Sequence, residues 1–149
     1  IDHDGSVHTA ADGLLFANGM VLLSESTTLV VAETFRGCLT AFDIQPNGEL
    51  SNRRLWAQLP EGDVPDGLCA DAEGAIWAAS PTTGMVLRLA EGGDVLARIA
   101  TGRQAIACAL GGHSGNTLFV STAIDTHRAT CLAARTARID AFQVPVPAP

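Results

Sequence analysis

The sequence predicts an all-β chain built as a β-propeller segment of about three four-stranded blades, and three observations carry that prediction. The first is internal repetition. Ala17-Asn18-Gly19-Met20-Val21-Leu22-Leu23 followed by Thr28–Ala32 is echoed by Pro65-Asp66-Gly67-Leu68-Cys69-Ala70-Asp71 followed by Ala75–Ala79; Asn18 falls on Asp66, Gly19 on Gly67, Met20 on Leu68 and Glu25 on Glu73. The second is texture: apolar runs of four to seven residues bounded by Gly, Asn, Asp or Pro, with no convincing amphipathic helix. The third is the period, because four strands in every ~40–50 residues is the spacing of propeller blades.

Taken in order, the strands are Ser6–Ala10, then Gly19–Ser24, Thr28–Ala32, Leu39–Ile44 and Arg53–Leu59, with Pro46-Asn47-Gly48 as a tight turn. A second set runs Gly67–Asp71, Ala75–Ala79, Met85–Leu89 and Val95–Ala100, turning at Glu73-Gly74, Thr83-Gly84 and Gly92-Gly93. The last set is Ile106–Leu110, Thr117–Thr122 and Arg138–Val144, interrupted after Ile124 by a loop or short helix. The prolines of the tail from Pro145 to Pro149 remove backbone donors, so it cannot pair as a central strand and reads as an exit segment. Residues 1–12 are therefore assigned to the outer strand of a preceding blade, 13–62 and 63–102 to full blades, and 103–149 to a three-stranded partial blade with its tail.

Propellers close with about four to eight blades, since closure hides the apolar faces of the end blades. Three blades require either more chain or a second copy. The leftover strands at the two ends, one and three, are complementary, which favours a homodimer over a fragment.

Composition excludes several classes. At 149 residues, 47% hydrophobic and 17% charged, the chain is long enough for a core and is not a disordered sequence. A net charge of -7 with nine dispersed Lys and Arg argues against nucleic acid. No apolar run approaches the roughly 20 residues of a membrane span. The start lacks a signal-peptide profile, and a chain opening on Ile1 rather than Met leaves room for a lost upstream segment. Cys69 and Cys108 lie in apolar runs and read as reduced core thiols of a cytoplasmic protein; Cys38 and Cys131 are unassigned.

In a propeller the first strand of each blade lines the central channel. Asn18 and Asp66, leading into successive first strands, are thus expected to present two side-chain oxygens to one axis, a donor type suited to a hard cation such as Ca²⁺, Mg²⁺ or Mn²⁺. The plain alternative is that Asn-Gly and Pro-Asp-Gly are ordinary turns. Both polar residues adjoin apolar strands, which favours the site. Arg103 and Gln104 precede the first strand of the last blade, the place equivalent to Asp66, and are candidates for substrate contact. Asp71 with Glu73 reads as a solvated acidic turn, Glu33 as a channel-mouth or surface residue, His113 as a loop residue and Arg53-Arg54 as a solvated edge.

Asn18-Gly19-Met20, Val31-Ala32-Glu33-Thr34, Phe42-Asp43-Ile44, the run Gly48 to Arg54, Pro65 to Gly74, Ile76-Trp77-Ala78-Ala79, Leu110-Gly111-Gly112 and Thr117 to Ala123 resemble, in order, the second half of the SMP-30/gluconolactonase (regucalcin-like) family. The resemblance implies a six-bladed propeller with one divalent cation in its channel, Ca²⁺ first with Zn²⁺, Mg²⁺ and Mn²⁺ as alternatives, and hydrolysis of a sugar-type lactone. It implies Asn18 and Asp66 as metal ligands and Asp66 as the group that positions or activates water. Ala17 stands where the family usually has Pro, and the family's other ligands, a Glu and another Asn, belong to blades this chain lacks. A catalytically silent half-propeller that serves as a binding module is the other reading. If two copies close the ring, a second Asn18 and Asp66 complete the donor set.

Overall fold

A computed structural model of the chain describes residues 5, 7–23 and 27–149. Three antiparallel sheets follow one another along the chain. β1 (Ala17–Leu23), β2 (Thr28–Glu33), β3 (Cys38–Ile44) and β4 (Leu50–Gln58) form the first, each strand beside its neighbour in sequence. β5 (Leu68–Ala70), β6 (Ile76–Ser80), β7 (Met85–Leu89) and β8 (Val95–Ala100) form the second in the same way. β9 (Gln104–Gly111), β10 (Thr117–Ala123) and β11 (Arg138–Gln143) form the third, and a short helix, α1 (Arg128–Ala134), sits in the β10–β11 connection. Turn chemistry sets these meanders. Gly48 takes a φ of 86° between β3 and β4, where the Asn47 side chain accepts from Glu49 N at 3.1 Å.

The sheets stack face to face, and the middle one is apolar on both faces. Its β6 reads Ile-Trp-Ala-Ala-Ser and is buried throughout. With period-two alternation, Ile76 and Ala78 join Leu87 and Leu89 against Val30, Ala32, Leu39, Ala41 and Trp56 of the first sheet. Trp77, Ala79 and Val86 turn the other way, against Ala105, Leu118 and Val120 of the third. Each Val, Leu or Ile among them removed from water contributes about 1.5–3 kcal/mol, so the two seams hold the stack together.

One expectation about the ends is corrected. Residues 7–10 form no strand, while Ser6, like residues 1–4 and 24–26, lies outside the described residues. The following segment runs along the first sheet instead: Asp12 and Gly13 carbonyls accept from the Arg53 guanidinium at 3.0 and 3.2 Å. The Pro-rich tail is also tied down, with Pro147 O accepting from Ala72 N at 2.9 Å and Ala148 N donating to Gly115 O at 2.9 Å.

Candidate functional site

β1, β5 and β9 are the first strands of their sheets, and two glycines let them touch. A Cβ at Gly19 would sit 2.3 Å from the Asp66 carbonyl oxygen, and one at Gly67 would sit 2.6 Å from Ala107 Cα. Neither glycine has positive φ. Their role is close backbone approach rather than turn geometry, so the ordinary-turn reading of Asn-Gly and Asp-Gly does not account for them. The contact is sealed by single backbone hydrogen bonds, Gly19 N to Asp66 O at 3.0 Å and Gly67 N to Ile106 O at 2.9 Å.

That approach brings the Asn18 and Asp66 side chains together. The Asn18 amide hydrogen-bonds the Asp66 carboxylate and donates to Thr34 Oγ1 at 3.3 Å. Thr34 in turn donates to Pro65 O at 2.8 Å, locking the β2–β3 turn onto the residue before Asp66. Sequence reasoning missed Thr34; its place after Glu33, at the same end of the sheet as Asn18, was the available signal. Burial pushes the Asp66 carboxyl above its ordinary value, and the Asn18 bond offsets this only in part. A half-buried carboxylate without a cationic partner among the described residues is poised to accept a proton or a cation. An amide oxygen and a carboxylate are hard donors, a fitting part of the six-to-eight-oxygen shell of a cation such as Ca²⁺. Among the described residues no cluster of three or more His, Cys, Asp or Glu is present.

The approach to Asn18 is shaped by aromatic groups. Phe16 adopts a φ of 61°, rare for a residue with a side chain, and stacks on Phe35 with ring centroids 4.6 Å apart. Phe16 O and Leu15 O accept from Thr34 N and Phe35 N, which fixes this pair to the turn that holds Asn18.

Other residues are placed differently from expectation. Glu33 is neither at the surface nor in the channel mouth: it is fully buried, held by Leu15 N at 2.8 Å, the Thr40 hydroxyl, Arg53 at 3.2 Å and Arg36 at 3.4 Å. Burial alone would raise its carboxyl, but these donors hold it below the ordinary carboxylate value. Arg53 is correspondingly an anchor rather than a free edge. Arg36, Arg53 and Arg54 line an open hollow of about 200 Å³, where Arg36 and Arg53 share Glu33 and Arg54 pairs with Asp43. Asp71 is no solvated turn either: its Oδ1 accepts from Glu73 N and Ala75 N while its Oδ2 accepts from Arg88 at 2.6 Å. Of the two acids of that turn, Glu73 is the exposed one.

Register also separates Arg103 and Gln104 from Asp66. Because Gly67 N meets Ile106 O as Gly19 N meets Asp66 O, the third residue of the series is Ile106. Arg103 donates to Thr136 O at 2.8 Å, pinning the loop that carries α1, and Gln104 opens β9 opposite Ala123. In an antiparallel sheet connections alternate ends, so this loop shares the end that bears Asn18 and Asp66.

Comparison with known proteins agrees with this architecture. Residues 1–124 match the SMP-30/gluconolactonase/LRE-like region. Regucalcin of Gallus gallus is 31% identical over 128 residues, covering 82% of this chain and 42% of that protein. Pentonolactonase XacC of Haloferax volcanii is 30% identical over 127 residues, covering 83% of this chain and 43% of its own length. A luciferin-regenerating enzyme superposes with a TM-score of 0.82 at 17% identity, over 97% of this chain and 50% of that one. The chain therefore spans less than half the length of these two curated relatives. No helix among the described residues is long and apolar enough to cross a membrane. With its repeated sheets and a family match over most of its length, the chain is a β-propeller member of the SMP-30/gluconolactonase/LRE-like family.

Proposed function

We propose that this chain forms half of a six-bladed propeller that hydrolyses a sugar-type lactone at a single divalent cation, with Asn18 and Asp66 as two of the cation's ligands. The observation that carries the proposal is the meeting of an amide and an under-neutralised carboxylate across β1 and β5, enforced by Gly19 and Gly67. The names of the relatives, a pentonolactonase among them, supply the substrate class, and regucalcin points to Ca²⁺ before Zn²⁺, Mg²⁺ or Mn²⁺.

When bound, the cation supplies Lewis acidity to the lactone carbonyl. Asp66 orients the attacking water and takes its proton; Asn18 holds Asp66 in place and contributes its amide oxygen to the cation. Arg103 and Gln104, at the same end of the sheets, contact the substrate's hydroxyl groups. The remaining ligands come from outside this half ring, either from a second copy or from further blades of the same polypeptide. Supporting that, the outer faces of the two end sheets carry exposed apolar side chains, Met20, Leu22 and Leu55 on the first and Phe119 and Ile139 on the last. Such faces are buried by further blades.

The test is aldonolactone hydrolysis with Ca²⁺, Zn²⁺ or Mn²⁺ added back after chelation, comparing the parent with Asp66→Ala, alongside the solution mass. Cation-dependent turnover lost in the variant is the expected result. Turnover without a cation, or a variant as active as the parent, would overturn the proposal.

A further inference from the structure

The same inner strands bring two thiols face to face. Cys69 on β5 and Cys108 on β9 have their Sγ atoms 3.7 Å apart, across the seam between the second and third sheets. This is a consequence of Gly67, whose contact with Ala107 draws the two backbones together two residues before Cys69 and one before Cys108. Cys108 is nearly buried, and its sulfur also lies 3.3 Å from Trp77 O and 3.7 Å from Gly67 O. Cys69 is half-buried. The other two thiols are placed quite differently. Cys38 is sealed inside the first sheet at 3.9 Å from the Thr40 hydroxyl, and Cys131 donates to Asp125 O at 3.1 Å beside α1.

We propose that Cys69 and Cys108 are an oxidation site: a hydroperoxide converts them to a disulfide that staples the second blade to the third. Cys69 attacks the peroxide oxygen, the O–O bond breaks, and Cys69 becomes a sulfenic acid as one water leaves. The Cys108 sulfur then displaces the hydroxyl from Cys69, the thiol proton leaves with it as a second water, and the S–S bond forms. Two thiols and one hydrogen peroxide give one disulfide and two waters, with two electrons passing from sulfur to oxygen. The division of roles follows from the surroundings. The shared hydrogen bond with Cys108 draws the Cys69 thiol below its ordinary value, favouring the thiolate nucleophile. That same contact, together with burial, pushes Cys108 well above its own. Bonding requires the sulfurs to close to about 2.05 Å, a movement of two side chains on strands whose backbones already touch.

Peptide mapping of the reduced full chain after brief treatment with dilute hydrogen peroxide tests this. The expected product has lost two titratable thiols and carries a Cys69–Cys108 link, with Cys38 and Cys131 still free. Cys108→Ser should stop at the sulfenic acid, captured at Cys69 by dimedone, and iodoacetamide should label Cys69 at least about tenfold faster than Cys38. Over-oxidation of Cys69 without a link, a link through Cys131, or Cys69 reacting no faster than Cys38 would each overturn the proposal. Should Cys108→Ser fail to fold, the parent map alone decides.

Discussion

Glu33 and Asp66 are both carboxylates drawn out of water near the same end of the sheets, and the protein treats them in opposite ways. Glu33 is fully buried and surrounded by a backbone amide, a hydroxyl and two guanidinium groups, so its charge is stabilised and its carboxyl held low. Asp66 is half-buried with one amide for company, and its carboxyl is held high. A carboxylate whose donors are already present is part of the frame; one whose charge is left wanting is available for chemistry. The difference separates an acid built into the frame from the one proposed as a cation ligand, although the sequence spaces both beside strands in the same way.

Substitution breaks the comparison most directly. Asp66→Asn should cut lactone turnover by about 100-fold or more while moving the denaturant midpoint little, within about 1 kcal/mol. Glu33→Ala should do the reverse in kind, lowering stability by roughly 3 kcal/mol because Arg53, Leu15 N and Thr40 lose their shared acceptor. Urea unfolding of both variants checks this pair. Gly67→Ala tests what holds Asp66 in place: a methyl group aimed at Ala107 forces β5 and β9 apart, costing about 1–3 kcal/mol and weakening cation binding measured by calorimetry.

The smallest effect is in pH, and it has opposite signs for the two acids. Glu33, with a lowered folded value, contributes stability that is present above its ordinary value of 4.5 and is lost as pH falls through the folded value. Asp66, with a raised one, binds protons more tightly folded than unfolded. Its contribution is fully favourable below the ordinary 3.8 and is lost as pH rises through the folded value. In chelator, Glu33→Gln should remove the rising component of the stability curve and Asp66→Asn the falling one, as read from urea midpoints at a series of pH values.

The strands were legible because turns and alternation are local. Met85–Leu89 and Val95–Ala100 match their expected bounds, and the other strands, Ser6–Ala10 apart, differ by a few residues at their ends. The partnership of Asn18 with Asp66 was legible too, as a repeat. What the sequence could not display was pairing between elements. Glu33 reads as a lone acid after a strand because Arg53, its partner, comes from β4. Asp71 reads as a loop acid because Arg88 arrives from β7. The spacing of Arg103 and Gln104 suggested equivalence with Asp66, but β9 enters its sheet at a different depth, so an apolar residue, Ile106, takes the third place in the series.

The two-sided apolar character of the second sheet has a consequence during synthesis. As β5–β8 leaves the ribosome, the completed first sheet can cover one face, but the other stays bare until β9 and β10 follow. At translation speeds of ~5–20 residues per second that interval lasts roughly 1 to 5 seconds. A nascent chain with Trp77 and Val86 uncovered for that long is a natural client for a chaperone, and codons that slow the stretch before Thr117 would lengthen the exposure.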